Sequence, residues 1–459
     1  MTNRKVFIWF RIFGGIIAMV TVYILMFVNI QLDLTGYVPA PISYTFENMK
    51  DLFRRSSNIT TGRTKTTNSM ILTATDFYDG VKPDREQSFN ASSSKHNNSW
   101  KYILWYNPPD WMNIEHENNM LTSLCAFDNC RMSTNQTDIQ KYSAIIFSFR
   151  ERLTHVPPIS RKDRNPDQVW IFFYSESPVH HGKVAYRHEN WRDTMNWSMG
   201  YNLDADIFRP YGVLEMKKEI LERNYSAIFH RKTKLVAWAV SHCGAPSKRD
   251  DFVTELASYG VQIDIFGKCK DNKFKTHEEL FNNISRDYKF YLSFENSLCK
   301  DYVTEKFFSY YNLDVVLIVR GGLDYDKYLP NDTFINTAHF SSAKELASYI
   351  LRVGSSEESY TNYFRQKDRY TAKHVFQIPL TTCSLCKKLN NLNESRKSYA
   401  DHVSYMHENT CWNPTDISQT TLSLSKIVPF ILLIILVVIF SYRRLKFLYE
   451  HYLNTCCNI

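Results

Sequence analysis

A strand, a polar turn and a helix follow one another over residues 288–308, and this order constrains the fold more than any other part of the chain. Aromatic residues alternate with small or polar ones over 289–294, which predicts a short buried strand. Asp301 or Thr304 could cap the helix that follows. In open α/β sheets ligands bind at the carboxyl edge of such a strand. We therefore expect a ligand site in this turn, where a helix start favours an anion beside Lys306 by about 0.3–1 kcal/mol.

Short apolar runs recur on both sides of the chain's midpoint and predict two parallel sheets. The first set of strands is predicted at 102–106, 144–149 and 169–174. The second set is predicted at 234–241, 261–267, 289–294 and 315–319, with helices at 249–259 and 343–351. Because strand and helix alternate, we expect two Rossmann-like lobes that face each other across a cleft.

Two apolar runs lie near the ends of the chain. Residues 12–30 are uncharged, long enough to span a bilayer and preceded by three basic residues, which predicts an uncleaved signal anchor after a cytosolic tail at 1–11. A cleaved signal peptide is the alternative, but no Ala-x-Ala-like cleavage site follows. Residues 424–442 predict a second span before a basic cytosolic tail at 443–459, the alternative being an apolar helix that docks elsewhere.

The part of the chain between the two apolar runs is predicted to be luminal. Nine Asn-x-Ser/Thr sequons lie there, at Asn58, Asn90, Asn97, Asn135, Asn196, Asn224, Asn283, Asn331 and Asn393. Eight of the ten cysteines lie there too, and an even number in an oxidising compartment favours disulfides. Cys383-Ser-Leu-Cys386 could instead indicate redox chemistry or zinc, but no second C-x-x-C accompanies it. Residues 31–98 are polar and predict a flexible stem.

The net charge restricts the classes of partner. A formal charge of +8 and a pI near 8.8 suit a nucleotide-sugar diphosphate or a membrane-proximal surface. The basic residues do not form tracts, so we expect no nucleic-acid partner.

A glutamate follows the third strand of the first set. Glu176 lies in Tyr174-Ser-Glu-Ser-Pro-Val-His-His, at the carboxyl edge where open α/β sheets carry catalytic groups. On its own, a glutamate after a strand is most often a surface residue. Its sequence context therefore decides its role.

That context, with several other blocks, resembles the α1,3-fucosyltransferase family. Phe294-Glu-Asn-Ser followed by Asp301-Tyr-Val-Thr-Glu-Lys-Phe-Phe is similar to the family signature, which is long and specific. The resemblance continues through the Glu-Ser-Pro-x-His block at 176–180, Asn196-Trp-Ser-Met-Gly-Tyr, Lys234 to Cys243 with Arg249, Arg320-Gly-Gly, Tyr328-Leu-Pro, Phe334-Ile-Asn and Tyr360-x-x-Tyr-Phe. It covers roughly residues 100–390. Two departures are His242, where the family often has Asn, and Arg365-Gln, where a Trp-rich step is frequent.

The resemblance implies a domain organisation. The fold would be GT-B-like, with an acceptor-side lobe at 99–228, a GDP-fucose-binding lobe at 229–375 and a cysteine-containing tail at 376–415. In the family a cysteine pair like Cys383 and Cys386 is tied back to the first lobe. Cys125 and Cys130 are the candidate partners.

The resemblance also implies the chemistry: inverting transfer of L-fucose from GDP-β-L-fucose to the 3-hydroxyl of N-acetylglucosamine. Glu176 is the expected catalytic base. The expected donor-binding residues are Ser241, Arg249, Asn296, Tyr302, Glu305 and Lys306, and His180 would contact the acceptor or be structural. Asp204-Ala-Asp206 matches a D-x-D metal pattern, but the family does not use this pair for metal. We expect no required cofactor or metal, and at most a non-essential stimulation by a divalent cation.

The acceptor is predicted less directly. The cysteine-containing blocks resemble invertebrate enzymes that fucosylate the innermost N-acetylglucosamine of glycoprotein N-glycans. A Lewis-type enzyme acting on terminal lactosamine is the alternative, and a catalytically silent luminal glycan-binding protein is the alternative of another class. In each case we expect a Golgi membrane protein with a cytosolic N-terminus.

Overall fold

The computed structural model describes residues 99–182, 185–270 and 274–417, with residues 436–437, 439–444 and 446–448 near the carboxyl end. The expected anchor at 12–30, the stem at 31–98 with sequons Asn58, Asn90 and Asn97, and most of the run at 424–442 lie outside the described residues. Within the part that is described, we find no helix with the length and apolar character needed to cross a bilayer.

The first sheet has six strands, all parallel. They are β1 (Lys101–Trp105), β2 (Cys130–Ser133), β3 (Ala144–Ser148), β4 (Val169–Tyr174), β5 (Trp197–Gly200) and β6 (Ile207–Phe208). Their order is β2-β1-β3-β4-β5-β6, and α1 (Ile114–Leu124) connects β1 to β2. Every residue of β3 and β4 is buried, as expected for the centre of a parallel sheet with both faces covered. The three predicted strands are confirmed as β1, β3 and β4.

The second sheet has five parallel strands. They are β8 (Lys234–Ala239), β9 (Ile263–Phe266), β10 (Tyr288–Phe294), β12 (Val316–Arg320) and β13 (Phe334–Asn336). The order is β13-β12-β10-β8-β9, so β10 lies at the centre. The four strands predicted for this region are confirmed as β8, β9, β10 and β12.

Helices cover this second sheet. They are α2 (Tyr225–Arg231), α3 (Arg249–Ser258), α4 (His277–Asp287), α5 (Glu305–Tyr311), α6 (Tyr325–Tyr328), α7 (Ala343–Ser355) and α8 (Glu357–Lys367). The predicted helices at 249–259 and 343–351 are confirmed as α3 and α7. Ser342 caps α7 by accepting a hydrogen bond from the Glu345 amide, and Leu346 and Ile350 face the core.

A two-stranded antiparallel ribbon connects the two sheets in the chain. β7 (Gly212–Met216) leaves the first sheet and pairs with β14 (Tyr370–His374), which follows the last helix of the second. The sequence did not predict this ribbon.

The tail returns to the first sheet and then to the second. It contains α9 (Leu380–Asn390), α10 (Leu392–Ser395), α11 (His402–His407) and β15 (Cys411–Trp412). Disulfides join Cys125 to Cys383 and Cys130 to Cys386, so Cys125 and Cys130 are the partners of the C-x-x-C pair. Farther along, β15 pairs antiparallel with β11 (Leu298–Cys299), and Cys411 is bonded to Cys299. Cys243–Cys269 is the fourth disulfide.

Candidate active site

Glu176 is surrounded by hydrogen-bond donors from both sheets. It follows β4, and its side chain is 17% exposed. One carboxylate oxygen accepts hydrogen bonds from the Tyr302 hydroxyl and from the Asn296 amide at 3.2 Å. The other accepts from the Arg150 guanidinium at 3.0 Å. A carboxylate of the first sheet is therefore held by two residues of the turn after β10.

These donors determine the protonation state of Glu176. Burial by itself raises the pKa of this carboxyl, but the hydrogen bonds from Tyr302 and Asn296, with the charge of Arg150, outweigh it and lower the pKa below its usual value. Burial also raises the pKa of the Tyr302 hydroxyl well above its usual value, so this hydroxyl keeps its proton and acts as a hydrogen-bond donor. Glu176 is thus an ionised carboxylate at neutral pH, the form that can accept a proton.

The backbone of Glu176 is supported by a histidine to which the sequence assigned no role. His181 lies within hydrogen-bond distance of the Glu176 carbonyl at 3.1 Å and of the Tyr186 hydroxyl at 2.9 Å. Burial lowers the pKa of His181 to about 4, so its ring is neutral. Tyr186 in turn contacts His407 of the tail at 2.8 Å. The tail therefore contributes to the support of the loop that carries Glu176.

The turn after β10 is fixed along its length. The Glu295 amide donates to the Arg320 carbonyl at 2.9 Å, and the Ser247 amide donates to the Asn296 carbonyl at 3.0 Å. Asp301 adopts a left-handed backbone conformation with φ of 61°, which turns the chain toward α5. These bonds place Asn296 and Tyr302 at the carboxyl edge of the central strand, where the sequence predicted a ligand site.

Arg249 is a buried cation without a carboxylate partner. Its guanidinium donates to the Phe294 carbonyl at 2.8 Å and to the His242 carbonyl at 2.9 Å, while its Nε is buried and makes no hydrogen bond. Among the described residues, none of the carboxylates lies within ion-pair distance of it. Burial lowers the pKa of Arg249 from its usual value, and the charges of Glu295 and Asp250 only partly oppose this shift. Such a guanidinium beside a polar turn is suited to bind an anion.

Lys306 is paired, unlike Arg249. Its ammonium lies 3.1 Å from carboxylate oxygens of both Glu295 and Glu305 and donates to the Thr304 hydroxyl at 2.8 Å. Burial opposes the charge on Lys306, but the two carboxylates outweigh it and raise the pKa, so the lysine is charged at neutral pH. Glu295 is fully buried and accepts a hydrogen bond at 2.8 Å from the amide of Thr304, the N-cap residue of α5. Glu305 is half-exposed while it pairs with Lys306.

His180 and His242 meet from the two sheets. Their rings lie 5.3 Å apart in an edge-to-face arrangement. The His180 Nε2 is buried without a hydrogen-bond partner, and burial lowers the pKa of the ring despite the nearby charge of Glu176. Ser241 is exposed beside His242, at the end of β8. The histidine that departs from the family pattern thus lies within the site.

The D-x-D pair is engaged in internal contacts. Asp204 pairs with Lys300 at 2.7 Å, and Asp206 accepts from the Ser198 amide at 2.9 Å and from the Tyr399 hydroxyl at 2.7 Å. Over the described ranges, no three of the His, Cys, Asp and Glu side chains are grouped as metal ligands would be. The contacts of Asp204 and Asp206 are those of residues that hold the tail and the turn.

Sequence reasoning missed Arg150 and the role of Arg320. An arginine after a strand, such as Arg150 after β3, has no distinguishing pattern, and its contact with Glu176 depends on the pairing of β3 with β4. Arg320 was part of the family blocks but had no assigned role. Its buried guanidinium donates to the Ser247 carbonyl at 2.9 Å and to Asp416.

Two family models match most of the described chain. The family model described as "Fucosyltransferase, N-terminal" matches residues 98–212, and "Glycosyltransferase family 10 (fucosyltransferase) C-term" matches residues 229–405. The chain is 33% identical over 319 residues to glycoprotein 3-alpha-L-fucosyltransferase A of Drosophila melanogaster, covering 67% of this chain and 60% of that relative's length.

Further similarities extend to a second fly protein, a human one and a solved structure. The chain is 30% identical to Drosophila alpha-(1,3)-fucosyltransferase C, over 63% of this chain and 70% of the relative. It is 33% identical to human 4-galactosyl-N-acetylglucosaminide 3-alpha-L-fucosyltransferase FUT6, over 58% and 72%. The crystal structure of an alpha1,3-fucosyltransferase with GDP-fucose matches at 14% identity and a TM-score of 0.44, covering 70% of this chain and 96% of that one.

Proposed function

The chain belongs to glycosyltransferase family 10, the fucosyltransferases, and from this premise we propose that it transfers L-fucose from GDP-β-L-fucose, with inversion and in α1,3 linkage, to N-acetylglucosamine in glycoprotein glycans. The observation that carries the proposal is the convergence of two groups on one turn. An ionised Glu176 is held by Asn296 and Tyr302, and the unpaired Arg249 is bonded to the carbonyl of Phe294, the last residue before that turn. An inverting transfer needs both a base and an anion site.

Glu176 would take the proton of the acceptor hydroxyl as its oxygen attacks the anomeric carbon of fucose. The bond from that carbon to the β-phosphate oxygen breaks in the same displacement, and GDP leaves with the electron pair. General-base assistance of this kind contributes about 10²–10⁴-fold to rate. The acceptor hydroxyl must reach a carboxylate oxygen of Glu176. The Arg150 side chain can move away from that oxygen because it is 55% exposed.

The negative charge that develops on GDP would be met by Arg249 and Lys306. Arg249 offers a guanidinium that is buried and lacks a carboxylate, and Lys306 offers a charged ammonium at the start of α5. Preorganised cations of this kind are worth more in a site from which water is excluded. Because these side chains supply the cations, we infer that no metal is required. Dialysis against a chelator should leave activity in place, with a divalent cation at most stimulating it.

The acceptor that we propose is the innermost N-acetylglucosamine of N-glycans. The cysteine-containing blocks support it, and one relative is named a glycoprotein 3-alpha-L-fucosyltransferase. The Lewis-type alternative is supported by the human relative, whose name specifies 4-galactosyl-N-acetylglucosaminide. The arrangement of Glu176 and Arg249 favours an enzyme over a silent glycan-binding protein.

We propose a GT-B architecture and a Golgi membrane location for the protein. Two parallel sheets that each contribute one side of the site support the architecture. Four disulfides within the described residues fit an oxidising lumen. Protection of the folded region from protease in sealed vesicles would test the luminal orientation that the anchor at 12–30 predicts.

The function is tested by offering the full chain GDP-fucose with two acceptors. One is an N-glycan with exposed terminal N-acetylglucosamine, and the other is N-acetyllactosamine. Mass spectrometry locates the added fucose, with Glu176→Gln as the test variant and Glu189→Gln, an exposed glutamate of the same lobe, as the matched control. Fucose on the innermost sugar that only Glu176→Gln abolishes is the expected result. Fucose on N-acetyllactosamine would support the Lewis-type acceptor instead. Binding of GDP-fucose without transfer would favour the catalytically silent glycan-binding protein.

A further inference from the structure

The end of the tail is attached to the turn that holds the base. We define the clasp as residues 410–416. Cys411 of the clasp is bonded to Cys299, and the Lys300 amide donates to the Thr410 carbonyl at 2.7 Å. β15 and β11 pair antiparallel at the same place, with Leu298 opposite Trp412 and Cys299 opposite Cys411. The middle of the turn over 295–302 is therefore fixed to a segment more than a hundred residues later in the chain.

The clasp also reaches the first residue of the turn through Arg320. Asp416 accepts two hydrogen bonds from the Arg320 guanidinium, both at 2.7 Å, and the Arg320 side chain is 2% exposed. The backbone carbonyl of Arg320 accepts from the Glu295 amide, and its guanidinium donates to the Ser247 carbonyl. An ion pair made by the clasp thus fixes the strand end against which the turn is built.

The turn also contacts the loop that follows β12. A Cβ on Gly322 would lie 1.8 Å from the Cys299 carbonyl oxygen, so the loop after β12 is in direct backbone contact with the turn. The Asp301 amide donates to the Gly322 carbonyl at 3.1 Å, and Asn202 of the first lobe donates to the Lys300 carbonyl at 3.2 Å. The turn lies between this loop on one side and the clasp on the other.

We propose that the clasp is a positioning element for the transfer reaction: it holds the turn so that Asn296 and Tyr302 reach Glu176 from the other lobe. Cys299 lies midway between Asn296 and Tyr302 in the chain, so a displacement at the disulfide moves both donors. The proposal rests on the function proposed above, because it assigns the clasp to the same base. No residue of the clasp is expected to contact either substrate.

The test removes the clasp disulfide in the full chain, as Cys299→Ala/Cys411→Ala. The matched control is Cys130→Ala/Cys386→Ala, which removes another tail disulfide but contacts neither the turn nor Glu176. For each protein, the fucose-transfer kcat and the pH dependence of kcat/KM are measured below the melting temperatures of both variants. Since misplacement of about 1 Å can cost about 100-fold, we expect kcat of the clasp variant to fall about 10- to 100-fold.

The pH profile separates positioning from general stability. A carboxylate that has lost its hydrogen-bond donors has a higher pKa. The acid limb of the kcat/KM profile should therefore move to higher pH in the clasp variant and stay in place in the control. An unmoved limb and a kcat equal to that of the control would overturn the proposal. Absence of transfer in the unaltered chain would instead overturn the proposed function.

A second variant keeps the test decisive if the cysteine variant is not produced in folded form. Asp416→Asn retains the shape of the side chain but removes the charge that meets Arg320. It should lower kcat and raise the acid limb in the same directions, by less than the disulfide variant. A folded Asp416→Asn protein with an unchanged pH profile and kcat would then refute the positioning role.

Discussion

Replacing Tyr302 with phenylalanine tests how the second lobe sets the pKa of Glu176, the proposed base. The substitution removes one hydroxyl that donates to Glu176 and leaves the buried ring in place. Asn296 and Arg150 remain as donors to the carboxylate. Because the lost hydrogen bond stabilises only the ionised form, the pKa of Glu176 must rise.

The size of the shift follows from the energy of one hydrogen bond to a charged group. Such a bond contributes about 1.5–3 kcal/mol, and one pKa unit corresponds to about 1.4 kcal/mol. Glu176 is 17% exposed, so solvent screening reduces this effect only slightly. We expect the acid limb of kcat/KM to move upward by about 1 to 2 pH units. Activity near neutral pH should change less than activity at acidic pH.

The assay is the initial rate of fucose transfer at low substrate, measured from acid to neutral pH with the full chain. Tyr360→Phe is the matched control, because this buried tyrosine of the same lobe donates to the Lys289 carbonyl at 2.7 Å and not to Glu176. Its acid limb should coincide with that of the unaltered chain. If the limb of a folded Tyr302→Phe protein also stays in place, then either Tyr302 does not set the pKa or Glu176 is not the base.

Three further outcomes are expected. Arg249→Met should weaken GDP binding by about 10- to 100-fold in calorimetry, because charge-assisted hydrogen bonds to the diphosphate are lost, and a loss below about threefold would contradict the anion site. Asp416→Ala should lower the free energy of unfolding in denaturant by about 1–3 kcal/mol, less than a fully buried pair costs because Asp416 is 41% exposed, and an unchanged midpoint would show that Arg320 needs no partner. Glycopeptide analysis should find glycan on exposed Asn135 and none on Asn196, whose amide donates to the tail backbone at 3.0 Å; a glycan at Asn196 would show that the tail can pack elsewhere.

The sequence predicted the strands that form continuous apolar runs. Runs such as 144–149 and 169–174 are apolar apart from Ser148 because both faces of these strands are covered, and the structure confirms them within one residue. The strands that were missed are short or half-polar. Those of the β7–β14 ribbon have mixed burial, and β6 has only two residues, so neither offers a local pattern.

Single residues of the candidate site could be predicted where they lie in recognisable sequence blocks. The order of strand, turn and helix placed Asn296 and Tyr302 at the carboxyl edge of the second sheet. The end of another strand placed Glu176 at the carboxyl edge of the first sheet. Their contact across the lobes was not predictable, because it depends on how two sheets built from distant segments meet. The ion pair of Lys306 with Glu295, and the lack of such a partner for Arg249, likewise depend on tertiary contacts that no local pattern encodes.

The tail disulfides also have a consequence for the timing of biosynthesis. Cys125 must wait for a partner 258 residues later in the chain. At about 5–20 residues per second this separation corresponds to about 13–50 s of synthesis. Throughout that interval the first lobe exists without the covalent bonds that tie it to the tail, and its thiols are open to mispairing. The synthesis of residues 383–386 therefore decides when the first lobe can be locked, and a chain that stops before Cys383 would lack both bonds.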